Sequence, residues 1–213
     1  MGKALIIVDL QHDFLPPHGS LAVPGGDEIV APIVELAKDD RWSVVVATQD
    51  WHPRDHVSFA VNHNVPEFSE FVYTSPIRRN ETQAATLWPV HCVQGTQGAE
   101  LAPELVHTLD RLECDHHVVQ KGFLSDREYY SAFHDIWSDH HTQLHGLLQK
   151  HGVNEVSIVG VALDFCVKST AVSAANLGYR TTILKDYTRG IATDAKAQCN
   201  LEQELVQNDI LLK

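Results

Sequence analysis

The chain is short of sulfur, of positive charge and of long apolar runs. Of its 213 residues one is Met and four are Cys. Cys92, Cys114, Cys166 and Cys199 form no C-x-x-C, which argues against a zinc ribbon or a thioredoxin-like centre. So few scattered thiols point to a reducing compartment with free cysteines. Lys and Arg number 16 against 28 Asp and Glu, a formal net charge of −12. A chain with that balance lacks the basic face that tracks nucleic-acid phosphates. No apolar run approaches the ~18 residues that a membrane span needs. The run at 4–8 is broken by Asp9, too early for a signal peptide. The expectation is a soluble, intracellular protein with neither a membrane nor a nucleic-acid partner.

What is present is an ordinary globular composition, 44% hydrophobic and 21% charged, with an excess of histidine, 14 in all. Short β-branched runs recur at 4–8, 42–48, 117–120, 156–161, 181–184 and 210–212. Several are apolar on successive residues, as in parallel strands buried on both faces. Helical patterns lie between them at 29–38, 143–150, 166–177 and 194–207. The alternation predicts a single α/β domain over 1–213, a three-layer, doubly wound, mostly parallel six-stranded sheet with helices on both faces. Two connections are long, 49–116 and 122–141, and length of that kind marks function or small extra elements. In the second, Tyr130, Phe133 and Trp137 stand at helical spacing and predict a local helix.

Ligands of open α/β sheets bind beyond the carboxyl ends of the strands, and reactive side chains fall there four times. Asp9 follows the first run, Asp50 the second, Lys121 the third and Cys166 the fourth. Cys166 lies where a strand gives way to a helix, a setting in which the helix dipole lowers a thiol's pKa. Asp50 and His52, two apart on an extended segment, face one side, and His91 can bring a third ligand, with His56 a candidate fourth. Two imidazoles and a carboxylate suit one divalent ion, Zn²⁺ foremost, or Fe²⁺ or Mn²⁺. A buried structural cysteine and a His- and Asp-rich surface loop are the plain alternatives, and these residues alone leave both open.

Five segments, in order along nearly the whole chain, narrow the choice: V-D-L-Q-H-D-F at 8–14, T-Q-D-W-H-P-R-D-H-V-S-F-A at 48–60, L-W-P-V-H-C-V at 87–93, K-G-F-L-S-D-R-E-Y-Y-S-A-F-H-D-I-W at 121–137 and V-G-V-A-L-D-F-C-V-K-S-T-A at 159–171. Together they resemble the nicotinamidases of the isochorismatase-like cysteine hydrolase superfamily, the eukaryotic, fungal branch in particular. The resemblance implies hydrolysis of nicotinamide to nicotinate and ammonia in NAD salvage, through a cysteine thioester. It implies a catalytic triad of Asp9, Lys121 and Cys166, and metal ligands Asp50, His52 and His91, with His56 at a position some relatives use as a further ligand. It also implies an oxyanion hole from the N–H groups of Ala162 and Cys166, beside a cis peptide between Val161 and Ala162. Phe14, Trp88 and Tyr130 or Tyr129 match the family's aromatic walls. His12 departs from the pattern, since relatives usually have Asn there.

Relatives in fungi are cytosolic and nuclear, and a homo-oligomer is compatible with the resemblance. Cysteine amidases acting on ureido or carbamoyl substrates share the triad but lack the metal set, and isochorismatases proper lack the thiol. A zinc hydrolase with metal-bound water as nucleophile, and a non-catalytic metabolite-binding protein, are the readings from other classes. The ten remaining histidines (His18, His63, His107, His116, His117, His134, His140, His141, His145 and His151) are expected on solvated loops and polar helix faces.

Overall fold

The apolar runs become strands because residues with branched side chains on both faces can be buried only inside a layered fold. The computed structural model describes residues 2–192 and 194–213. In chain order these form β1 (Gly2–Val8), α1 (Val30–Ala37), β2 (Val44–Asp50), β3 (Glu70–Thr74), β4 (Thr82–Thr86), α2 (Pro103–Leu109), β5 (Asp115–Lys121), α3 (Leu144–Lys150), β6 (Val153–Val161), α4 (Lys168–Asn176), β7 (Arg180–Arg189), α5 (Ala195–Gln207) and β8 (Leu211–Leu212). The main sheet has the order β5-β2-β1-β6-β7-β8, and every pairing in it is parallel. The predicted six strands and four helices are all present. Among the described residues, no helix is long and apolar enough to cross a membrane.

Alternate residues of each strand feed two separate cores. Leu5 and Ile7, with Val45, Ala47, Val159 and Val161, pack under α1 and α2. Ala4, Ile6 and Val8, with Val44, Val46 and Ile158, pack under α3, α4 and α5. The period-two alternation of a strand thus gives helices on both faces, the three-layer arrangement. The chain winds outward from β1 through β2 to β5, then returns to place β6 on the other side of β1. The crevice between the ends of β1 and β6 is the topological switch point, where such sheets take their ligands.

One glycine permits that crevice to be narrow. Gly160 has φ +108° and sits so close to β1 that a side chain there would collide with the Val8 carbonyl. Any other residue would push β6 away from the strand that carries Asp9.

The long connections hold structure that the apolar pattern did not announce. Between β2 and β5 lie α2 and the antiparallel β3–β4 ribbon. The predicted helix around 130–137 is absent, because a carboxylate competes for the backbone donors. Asp135, fully buried, accepts the N–H groups of Trp137 at 2.9 Å, Asp139 at 3.0 Å and His140 at 3.1 Å. The Arg127 guanidinium lies 3.2 Å from the same carboxylate. The histidines also differ from expectation. Only His18, His107 and His141 of the ten are exposed. Others bond into the fold, His63 to the Val57 carbonyl at 2.7 Å and His145 to the Tyr179 hydroxyl at 2.8 Å. A ring with one donor and one acceptor suits such half-buried places as well as it suits water.

Breaking a buried, multiply bonded ion pair by removing one partner typically costs about 3–5 kcal/mol. Asp135→Ala is therefore expected to lower unfolding stability by about 3 kcal/mol, read as a shifted midpoint in urea at constant slope. Asp135→Asn, which keeps one acceptor oxygen, should lose less. Equal stability of all three proteins would remove Asp135 from this role.

Candidate active site and metal centre

The four reactive side chains come from the carboxyl ends of four adjacent strands, in the order β5, β2, β1, β6. Lys121 ends β5 and Asp50 ends β2. Asp9 follows β1 in a left-handed conformation, φ +50°, which a short polar residue tolerates best after glycine. Thr48 secures it: the Asp9 N–H donates to Thr48 Oγ1 at 3.1 Å, and the threonine hydroxyl donates to Asp9 Oδ1 at 2.6 Å. Cys166 lies in a π-helical turn, Leu163–Val167, which joins β6 to α4. The peptide between Val161 and Ala162 is cis, as the resemblance implies.

Lys121 is the hub. Its ammonium is fully buried and lies 2.5 Å from Asp50 Oδ1 and 2.9 Å from Asp9 Oδ2. It also donates to the Tyr129 carbonyl at 3.1 Å and reaches Cys166 Sγ at 3.4 Å. Carboxylate oxygens of Asp9 and Asp50 and the Cys166 sulfur lie within 4.8 Å of one another. Burial works against this charge, but Asp50 and Asp9 outweigh it and hold the lysine well above its ordinary pKa. Burial also opposes ionisation of Asp50, and here Lys121, with help from His52, wins and holds the carboxyl well below the usual carboxylate range. At Asp9 burial wins, pushing its carboxyl up although Lys121 pulls it down.

The thiol departs from the sequence expectation. Burial pushes Cys166 well above its ordinary pKa, Lys121 pulls it back and Asp9 adds to the rise. The predicted lowering by a helix N-terminus fails because the sulfur is buried within a π-helical turn that leads into α4. A protonated thiol beside a carboxylate of raised proton affinity is an arrangement for transferring that proton on demand.

Asp50 also faces two imidazoles. His52 Nε2 and His91 Nε2 lie 3.5 and 4.0 Å from Asp50 Oδ2, and the three ligand atoms are mutually within 4.8 Å. Each ring is fixed from behind, His52 Nδ1–H donating to the Gly122 carbonyl at 2.9 Å and His91 Nδ1–H to the Pro89 carbonyl at 2.8 Å. Both Nε2 atoms are thereby presented to one point, the usual outer support of a metal-binding histidine. Gly122, φ +70°, lies flat against His52, where any side chain would strike the ring. Burial and the neighbouring His52 press the His91 pKa down to about 4, so at neutral pH its ring is a free donor. One carboxylate oxygen and two locked imidazoles fit a divalent ion.

His56 does not join this group. Its Nε2–H donates to the Arg127 carbonyl at 3.0 Å, and its Nδ1 takes the Ser58 hydroxyl at 2.7 Å. Its ring rests on that of His52, centroids 4.1 Å apart, so it backs a ligand rather than facing the ion. His12 uses its backbone N–H toward Glu100 and does not line the cavity.

Above the thiol is a cavity walled by Phe14, Trp88 and Tyr130, as expected, with Asp50, His91, Ala162 and Cys166 also lining it. Tyr129, the other tyrosine matched to the aromatic walls, lines it too, and Leu21, Phe165, Ile191 and Glu128, which escaped the sequence reading, complete it. Phe165 stands edge-on to Trp88 at 4.8 Å, and its place beside the nucleophile candidate was the available signal. Tyr129 and Tyr130 divide their work. Tyr130 Oη accepts the Trp88 indole N–H at 3.3 Å, while Tyr129 ties its hydroxyl to His140 at 2.8 Å and gives its carbonyl to Lys121. Gln11 is a further support that sequence reasoning missed. Its amide donates to the Asp50 carbonyl at 2.8 Å and accepts the Asp50 N–H at 2.8 Å.

The isochorismatase domain family matches residues 3–203. The nicotinamidase of Saccharomyces cerevisiae is 50% identical over 213 aligned residues, covering 98% of this chain and 97% of that protein. The crystal structure of the yeast nicotinamidase Pnc1p bound to the inhibitor nicotinaldehyde superposes with a TM-score of 0.94 at 48% identity, over 99% of this chain and 98% of that one. A pyrazinamidase of Pyrococcus horikoshii in complex with zinc superposes at 0.75 and 31% identity, over 100% and 99%. The chain therefore belongs to the isochorismatase family, in the group formed by its nicotinamidases.

Proposed function

We propose that the chain, acting as one domain over residues 1–213, hydrolyses nicotinamide to nicotinate and ammonia. The observation that carries the reading is the buried Lys121 ammonium, which touches Asp9, Asp50 and Cys166 together. It joins a thiol and base to a metal-ligand cluster on the floor of one aromatic cavity. The family's assignment of triad and ligands maps onto these same side chains.

Asp9 takes the Cys166 proton as the sulfur attacks the carboxamide carbon, so the thiol ionises only when its electrons are needed. The N–H groups of Ala162 and Cys166 receive the developing oxyanion, a donor of this kind being worth about 3–4 kcal/mol. Asp9 then gives the proton to the departing ammonia, leaving a thioester, and removes one from the water that hydrolyses it. Lys121 keeps Asp9 and Asp50 apart electrostatically and steadies the thiolate. Phe14, Trp88 and Tyr130 sandwich the ring and exclude water. Asp50, His52 and His91 would hold a divalent ion, Zn²⁺ foremost, which when bound supplies a Lewis-acid docking point for the pyridine nitrogen. The product acid belongs to NAD salvage, and the cytoplasm, with the nucleus as in fungal relatives, is the proposed location.

Ammonia release from nicotinamide by the purified chain tests the activity directly, and no release above background would refute it. Cys166→Ala is expected to lower kcat by at least ~10³-fold, as loss of a covalent nucleophile does, with an unchanged circular dichroism spectrum and unchanged metal content. A variant that kept substantial turnover would point to metal-bound water as the nucleophile. Benzamide, which lacks the ring nitrogen, should show kcat/KM at least ~100-fold below that for nicotinamide, roughly 2.7 kcal/mol of lost transition-state binding. Equal turnover of the two would exclude the docking role. Chelation is expected to abolish activity and stoichiometric Zn²⁺ to restore it, followed in the same assay.

A further inference from the structure

We propose that Asp13 is a positioning residue for the metal centre, fixing where His91 stands relative to His52; the inference rests on reading Asp50, His52 and His91 as ligands. The residue after His91 is gripped at both ends. The Cys92 N–H donates to Asp13 Oδ2 at 2.7 Å, and the Cys92 carbonyl accepts the His52 N–H at 3.0 Å. A line of backbone bonds thus runs from the Asp13 carboxylate through Cys92 to His52, with His91 attached at its middle.

Cys92 has φ +46°, a left-handed conformation that a residue with a Cβ holds only when its surroundings enforce it. A short bond from an N–H to a charged oxygen is the strong kind of restraint that does so. The turn this creates swings the His91 ring toward Asp50. Phe14, next to Asp13, packs on that ring with centroids 5.5 Å apart, so consecutive residues hold its backbone and its face.

Asp13 is itself seated firmly. It lies in the short 3-10 turn His12–Phe14, and its carbonyl accepts the Leu21 N–H at 2.9 Å. Its carboxylate rests against Gly98 so closely that a Cβ there would collide with it, the three nearest atoms all belonging to that carboxylate. Gly98 therefore keeps open the space from which Asp13 reaches Cys92. Together with Gln11, which grips the backbone of Asp50, the segment after β1 registers both of the loops that bring ligands to the ion.

The test measures metal binding by the full-length protein, apart from turnover, by competition for Zn²⁺ with a chromophoric chelator and by the visible absorption of the Co²⁺ form. Asp13→Ala is expected to weaken Zn²⁺ binding about 10–100-fold, the usual effect of losing an outer support, and to alter the Co²⁺ bands. Asp13→Asn, which keeps an oxygen to accept the Cys92 N–H, should stay within about threefold of the parent. Gly98→Ala, which changes no metal-site residue, should reproduce the Asp13→Ala loss by displacing the carboxylate, and it carries the test if Asp13→Ala does not fold. Unchanged affinity and Co²⁺ spectrum in both Asp13→Ala and Gly98→Ala would overturn the proposal, as would an Asp13→Asn protein as weak as Asp13→Ala. Asp50→Ala serves as the control: parent-like binding by that variant would overturn the ligand reading itself rather than the role of Asp13.

Discussion

A single buried ammonium governs this molecule. An isolated charge in a protein interior is so costly that a lysine normally gives up its proton there. Lys121 keeps it because two carboxylates, a backbone carbonyl and a sulfur surround the nitrogen. The dependence is mutual. Without the ammonium, Asp9 and Asp50 would be two buried acids side by side, and one would have to take up a proton. The carboxylate that faces the thiol and the carboxylate that faces the imidazoles are therefore electrically one system.

The rest of the fold can be understood as what brings those groups to one nitrogen. Parallel strands end together, so four side chains at successive strand ends converge without any loop having to aim them. Gly160 lets β6 close onto β1, and Gly122 lets β5 pass directly behind the His52 ring. Outer supports then remove the remaining freedom: Thr48 for Asp9, Gln11 for Asp50, and backbone carbonyls for both imidazoles. The apolar interior above and below the sheet gives these bonds a low-dielectric setting in which they are strong.

The sequence revealed the sheet, and with it the site, for one reason. Runs buried on both faces are conspicuous, and a reactive residue just past such a run is placed by the topology alone. Asp9, Asp50, Lys121 and Cys166 were legible in this way, and the alternation of an extended segment paired Asp50 with His52. What stayed hidden depends on partners distant in sequence. Nothing local at Asp135 says that it will gather the N–H groups of its own loop, and nothing at Glu128 or Ile191 says that they reach the cavity. His56 looked like a ligand by composition, and only its bonds to Arg127 and Ser58 show which way its nitrogens turn. The helix α2 had a readable signal, a proline at its first position ahead of Leu105 and Leu109. The β3–β4 ribbon had a weaker one, since its outer face is exposed and its pattern half polar.

The partners of Lys121 are also remote along the chain. Asp50 is 71 residues before it and Cys166 45 after it, while Asp9 lies still further back, on the first strand. Bringing such distant points together carries a loop-closure cost that is met only when the intervening strands dock. The ammonium can therefore leave water only after β1, β2, β5 and the turn beyond β6 have all assembled. Chemical competence and cooperative folding become the same event, and a partly folded chain carries cysteines but no armed nucleophile.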